Sequence, residues 1–204
     1  MFPKLTPATR ALIGANILVF LLEQVARVPM EIHFALWPLA TPDALFRPWQ
    51  LVTYAFLHDP RTLSHIFFNM FALYIFGPPL EQYWRPRRFL AYYFVCVIAA
   101  GATQLAVEYA FQNGEPTIGA SGGIFGILLA FALLFPRARL LLYFVIPMPA
   151  WLFVAGYAVL ELFFGVTGRQ SDVAHFAHLG GMLGGAVMML YWRLRAGRGG
   201  WRPV

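Results

Sequence analysis

Charge is what this sequence has least of. Of its 204 residues only 12% are charged, against about 25% in an ordinary soluble domain. Apolar residues make up 60% of the chain, and the mean hydropathy is +0.64. An unusually apolar soluble core is the bland alternative, but the composition favours lipid as the solvent around much of the chain. Cysteine is nearly absent too: the single Cys96, set in an apolar run, excludes a disulfide framework and reads as a packing residue. There is no internal repeat, which weakens a transporter built from paired halves. No HExxH motif occurs, and no convincing small-residue cleavage site follows the first apolar run, so no cleavable signal peptide is expected.

What the sequence does have is long uncharged windows. A spanning helix needs about 20 mostly apolar residues. Five windows qualify: 62–80, 89–107, 116–135, 140–160 and 173–192. Pro147 and Pro149 interrupt the fourth, so its helix is expected to start near Ala150 and to carry Glu161 towards its far end. A sixth candidate around 11–22 lies between Arg10 and Glu23; it spans if Arg10 snorkels and the helix continues towards Val28. The expectation is an all-α, polytopic membrane bundle of six transmembrane helices, at 9–28, 62–83, 88–111, 116–135, 150–166 and 173–195, in a single domain over 1–204.

The basic residues test that count. The N-terminal tail, the second and fourth connections and the C-terminal tail carry eleven: Lys4, Arg10, Arg85, Arg87, Arg88, Arg137, Arg139, Arg193, Arg195, Arg198 and Arg202. The first, third and fifth connections carry four: Arg27, Arg47, Arg61 and Arg169. That asymmetry places both termini in the cytoplasm, and an odd number of helices would scramble it. The net charge of +6 is therefore a topology signal with anionic lipid as its partner; a nucleic-acid role is not needed to explain it. The first connection, 29–61, is long and holds Trp37, Pro38, Pro48, Trp49 and Phe56, which suggests an ordered loop lying in the membrane interface.

Polar groups inside membrane helices are costly and usually functional. Three clusters stand out: His65 and Asn69 on the second helix, Gly119-Ala120-Ser121-Gly122 at the start of the fourth, and His175 and His178 on the sixth. With the topology above, these three helices run in the same direction. His65, Ser121 and His178 then lie about 5–8 Å along their helices from the outer end. Ser121 sits among glycines near a helix N-terminus, where free amides and the dipole favour an oxyanion. His178 is placed to act as its base. Gly181 and Gly185 continue from His178 at GxxxG spacing and would press the sixth helix onto the glycine face of the fourth. His65 and Asn69, four apart, share a face and can both donate to an oxyanion, with the Ser121 amide as a third donor. Read singly, each feature has a packing alternative, because Gly, Ser, His and Asn all occur at membrane helix contacts. The His175-x-x-His178 pair also invites a metal reading, with Asp172 as the nearby third ligand at the lipid–water edge. No metal site is expected from it, and His175 reads as a rim or packing residue.

His65-x-x-x-Asn69, Gly119-x-Ser121-Gly122 and Ala177-His178-x-x-Gly181-x-x-x-Gly185, in this order and on these helices, resemble the three signatures of the rhomboid proteases. The resemblance runs from about Ala11 to Trp192 and fits the minimal bacterial form with six helices. It implies a Ser121–His178 dyad without a catalytic acid, no cofactor, and cleavage of membrane-protein substrates in or near single transmembrane segments. It also implies that Phe125 packs on the catalytic His, and that the protein resides in a bacterial inner membrane. Trp49-Gln50 departs from the Trp-Arg found in many members and leaves Arg47 as the loop's candidate anchor. The rival reading is a non-proteolytic rhomboid-like protein, a transporter or a substrate-binding chaperone, for which Glu161 would be the charge to examine.

Overall fold

The computed structural model describes residues 3–39, 45–111, 115–142, 145–168 and 174–195. Its elements in chain order are α1 (Pro7–Phe34), α2 (Gln50–Thr53), a 3-10 turn (Tyr54–Phe56), α3 (Leu63–Phe111), α4 (Ser121–Leu134), β1 (Arg139–Leu142), β2 (Ile146–Pro149), α5 (Ala150–Thr167) and α6 (His175–Arg195). Three of these helices, α1, α3 and α5, are long and apolar enough to cross a membrane. The 49 residues of α3 break at Arg85, whose φ of 68° and ψ of 159° are not helical. Pro86 follows, and a residue before proline is pushed out of the helical region. The break turns the chain back: the rings of Trp84 and Tyr92, eight residues apart, meet with centroids 4.7 Å apart. So α3 is two antiparallel arms, 63–84 and 86–111, and the described residues form six helical rods. α1 is itself interrupted at Ala26 (φ −126°, ψ 39°), one turn before Pro29, where proline's missing N–H and ring clash disrupt the helix.

Small residues let the rods approach closely, the usual means of helix association in lipid. A Cβ on Gly181 of α6 would run into the Gly122 carbonyl oxygen of α4, and one on Gly126 into the Cys96 sulfur of the second α3 arm. Cys96 is buried there, beside Tyr92, whose hydroxyl donates to the Gly126 carbonyl at 2.8 Å. Around this seam lie Leu73, Phe89, Tyr93, Val97, Ile127 and Leu134, all without exposure. The outside is as apolar as the inside: Leu18, Leu21, Val25, Phe67, Phe68, Val159, Leu190 and Leu194 are exposed. On a soluble protein that would be a large unexplained apolar surface; here it faces lipid.

One end of the bundle gathers the basic segments. Tyr83 meets Phe135 and Trp84 meets Trp192, Arg88 lies 5.2 Å over the Trp192 ring, and the start of α1 docks on Glu81. That carboxylate accepts from the Ala8 and Thr9 amides, both at 2.8 Å, and from the hydroxyls of Thr9 and Thr6. Thr6, the N-cap residue, makes no cap of its own, so a side chain from another helix supplies it.

The structure departs from the sequence expectations at several places. The fourth helix was expected over 116–135 but α4 begins at Ser121, because residues 115–119 are drawn into extended contacts described below. The stretch before Ala150 is a two-stranded antiparallel ribbon pairing Arg139 with Pro149 and Leu142 with Ile146, an element the sequence did not suggest. The Arg47 Nη1 donates to the neighbouring Phe46 carbonyl at 2.8 Å. Gln50 ties the loop together. It is fully buried, accepts from the amides of Trp37 and Arg47, and donates to the Leu45 and Ile32 carbonyls. Arg169, Asp172, Arg198 and Arg202 lie outside the described residues.

Candidate active site

The site is assembled at the end of the bundle opposite the basic one, and the first loop builds its floor. Trp49 donates from its indole to the His33 carbonyl at 2.9 Å, and Thr53 to the Phe34 carbonyl at 2.8 Å. These bonds hold Tyr54, whose hydroxyl donates to the Val97 carbonyl at 2.8 Å. The Tyr54 carbonyl in turn accepts the Gly119 amide at 2.9 Å. Two residues earlier, Thr117 exchanges backbone bonds with Leu36 (2.9 and 3.0 Å), and its hydroxyl donates to Glu108 at 3.1 Å. The segment before α4 is thereby extended and fixed on both sides. It turns into α4 through Gly119, whose φ of 121° is open to glycine and strained for other residues. A Cβ there would also sit 2.8 Å from His65 Nε2.

Ser121 is therefore the first residue of α4. The first intrahelical amide bond is Ile124 to the Ala120 carbonyl at 3.1 Å. The amides of Ser121, Gly122 and Gly123 precede it, and no side chain caps this end. That is the condition in which a helix N-terminus binds an anion. At 14 residues, α4 is about 21 Å long, shorter than the ~30 Å hydrocarbon core. Its far end lies beside Tyr83, where Phe135, the residue after α4, meets that ring at 6.2 Å. His65 lies two residues into α3 and His178 three into α6. All three side chains thus issue from the first turn of their helices, closer to the helix ends than the expected 5–8 Å.

Ser121 and His178 meet: Ser121 Oγ lies 2.7 Å from His178 Nε2. The close α4–α6 contact at Gly122 and Gly181 brings the two backbones near enough. Gly185, one turn further along α6, does not continue that contact as the GxxxG spacing suggested: it faces the second arm of α3, where a Cβ would strike the Tyr92 hydroxyl. Phe125, one turn below Ser121, stacks on the His178 ring with centroids 4.2 Å apart and planes 8° from parallel. Tyr157 of α5 meets Phe125 at 5.7 Å in a tilted contact. The stacked Phe125 ring covers one face of the imidazole and helps to hold it in the plane that points Nε2 at the hydroxyl.

His65 lies over Gly119. Its Nδ1 faces the Asp59 amide at 3.5 Å, which favours the proton on Nε2, the nitrogen on the Ser121 side. The His58 ring packs against His65 at a tilt, with centroids 4.9 Å apart. Burial first, and His65 next, push the His58 imidazole down to about 3, so it is neutral. Its backbone amide donates to Glu23 of α1 at 3.0 Å, tying this corner to the first helix. In the same loop the Arg61 guanidinium beside Asp59 holds that carboxyl below its usual range. Asn69 is the site residue that is not brought to Ser121 by any described contact: its amide donates to the His65 carbonyl one turn back, at 2.9 Å.

Two residues at the site, Glu161 and His175, were given no part in the chemistry from the sequence, His175 being read as a rim or packing residue. Glu161 Oε2 accepts from His178 Nδ1 at 2.8 Å and from His175 Nδ1 at 2.7 Å. All three are buried. The sequence signal was there in the one carboxylate of the last two expected helices, 150–166 and 173–195, but its partners are 14 and 17 positions away and only the fold joins them. A buried carboxylate left without partners costs several kcal/mol, about 3–5 when one member of a buried pair is removed. Glu161, His175 and His178 offer three atoms close enough to consider for a metal ion. Ligands on tetrahedral zinc at 2.0–2.1 Å stand about 3.3 Å from each other; contacts of 2.7 and 2.8 Å are hydrogen bonds instead.

Residues 46–195 match the family model described as the Rhomboid domain. The chain is 32% identical over 167 residues to RHOMBOID-like protein 12, mitochondrial, of Arabidopsis thaliana, covering 72% of this chain and 47% of that protein. It is 32% identical over 184 residues to Rhomboid protein 1, mitochondrial, of Saccharomyces cerevisiae, covering 89% and 52%. It is 27% identical over 184 residues to the human presenilin-associated rhomboid-like protein, mitochondrial, covering 88% and 47%. The chain spans about half the length of these relatives.

Proposed function

Because the chain belongs to the rhomboid family and is an integral membrane protein, we propose that it is an intramembrane serine endopeptidase with Ser121 as nucleophile and His178 as general base. The carrying observation is the 2.7 Å approach of Ser121 Oγ to His178 Nε2, at an uncapped helix N-terminus. In this reading the Ser121 oxygen attacks a scissile carbonyl carbon as its proton passes to His178 Nε2. Charge developing on the carbonyl oxygen is met by the α4 amides and by His65, with Asn69 as a further donor once its amide turns from its own helix. The C–N bond then breaks, and His178 gives the proton to the leaving amine. Water, activated by the same imidazole, hydrolyses the acyl-enzyme. Neither metal nor cofactor is required.

The substrates in this reading are membrane proteins cleaved in or near a spanning segment. A helix hides its peptide groups, so the substrate must unwind to reach Ser121. Both termini are proposed to lie on the cytoplasmic side, or its equivalent, from the eleven-to-four division of basic residues. Our sequence expectation was a bacterial inner membrane; the mitochondrial location is named for the relatives, and the charge division applies in either membrane.

The test is cleavage of a single-span substrate in liposomes, with fluorophosphonate labelling of the same preparations. Ser121→Ala and His178→Ala are each expected to lose at least about 10⁴-fold in kcat, with the double variant no worse than the singles, and with unchanged melting temperature. A wild-type protein that neither cleaves nor labels would support the non-proteolytic alternative.

A further inference from the structure

The resemblance to the rhomboid proteases implies a dyad, with nothing behind the histidine. Here something stands behind it. His178 is contacted through both ring nitrogens: Nε2 by Ser121 of α4 and Nδ1 by Glu161 of α5. The chain of contacts runs Ser121 Oγ, 2.7 Å, His178, 2.8 Å, Glu161 Oε2, and continues at 2.7 Å to His175. We propose that Glu161 is a positioning residue for His178, the third member of a Ser–His–Glu arrangement whose carboxylate is itself oriented by His175. This rests on the proposed protease reading.

The chemistry follows from which nitrogen holds the proton. A carboxylate only accepts, so its bond to Nδ1 requires Nδ1 to be protonated. The lone pair is then on Nε2, facing the serine hydroxyl. The carboxylate also stabilises the imidazolium that forms as the serine oxygen attacks, without taking the proton itself. His175 donates to the same oxygen and fixes the carboxylate's orientation, as outer hydrogen bonds fix a functional side chain in other sites. The groups facing His178 are Ser121 and Phe125 from α4, Glu161 from α5, His175 from its own helix, and His65 from α3, close enough to interact electrostatically. Among them only Glu161 carries a negative charge.

Glu161 is buried in a helix that otherwise buries only Ala150 and Val154. A purely structural carboxylate would need partners but not these partners. The packing alternative therefore expects lost stability on substitution, with the rate per folded molecule intact.

The experiment compares wild type, Glu161→Gln, Glu161→Asp and Ser121→Ala in liposomes, measuring kcat, KM and detergent melting temperature on each preparation. Gln keeps the volume but loses the charge and presents an N–H that opposes the required tautomer. The expected result is a fall in kcat of about 10²–10³ for Glu161→Gln with KM little changed, below the ~3 × 10⁴ of a soluble triad's acid, because the resemblance implies that the dyad retains activity alone. Glu161→Asp should recover part of the loss. Ser121→Ala combined with Glu161→Gln should equal Ser121→Ala. A Glu161→Gln enzyme with wild-type kcat overturns the proposal while leaving the protease reading intact. So does equal loss in Gln and Asp variants accompanied by a lowered melting temperature. A wild type inactive in cleavage and labelling sinks the protease reading instead.

Discussion

α4 and α5 flank the same imidazole and are held by opposite means. Ten of the 14 residues of α4 are buried, and only three of the 18 in α5. α4 is wedged between the second arm of α3 and α6 along glycines that tolerate no Cβ, and it starts from a segment bonded to Leu36, Tyr54 and Glu108. α5 lies at the margin, with Trp151, Val159, Leu160, Leu162 and Val166 turned outward, and meets the site through Tyr157 and Glu161. The nucleophile is fixed by packing that lipid cannot replace. The helix beside it is retained by a polar cluster and a thin apolar stripe, and in the proposed protease it is the rod expected to yield to an entering substrate.

The largest effect should come from attacking the packed side of this contrast. Gly181→Val adds a branched side chain whose Cβ alone would stand where the Gly122 backbone already is. Overpacking of this kind costs about 3 kcal/mol or more, and the expected result is loss of monodisperse folded protein in detergent. Val159→Ala, on the exposed face of α5, should melt within about 0.5 kcal/mol of wild type. If the two variants melt alike, the contrast is wrong. A middle effect is expected from fixing α5. Introduced cysteines joining α5 to the first arm of α3 should lower turnover of a membrane substrate by about tenfold or more and spare a small soluble one. Equal inhibition of both would mean that substrates do not enter beside α5. The smallest effect belongs to Asn69→Ala. Its amide is engaged with its own helix, so kcat should fall by about tenfold, below the 10²–10³ of a donor already in place. Unchanged kcat with a lowered melting temperature would assign Asn69 to packing alone.

The pairing of Ser121 with His178 was legible because glycine spacing says where two helices can touch, and the charge pattern says which ends lie together. The start of α4 was not. Residues 116–120 are uncharged and read as helix in any hydropathy window; what draws them out are bonds to Leu36 and Tyr54, eighty-one and sixty-five positions before Thr117 and Gly119. The ribbon before α5 was half visible, as a proline break without a structure to replace it. Gln50 looked like a lost anchor because its charge was missing, yet an amide both donates and accepts and so bridges carbonyls and amides together. Glu161 was conspicuous, but a lone carboxylate in an apolar window does not tell which distant nitrogens will meet it.

The Glu81 cap on α1 carries a consequence for biogenesis. The first turn of α1 has its amides satisfied by a side chain emerging from the ribosome more than seventy residues later. During synthesis α1 can enter the bilayer, but the end that carries Thr6 cannot be completed until the first arm of α3 is inserted beside it. Assembly of this protein is thus ordered by a latch: α1 waits, and the arrival of Glu81 closes it.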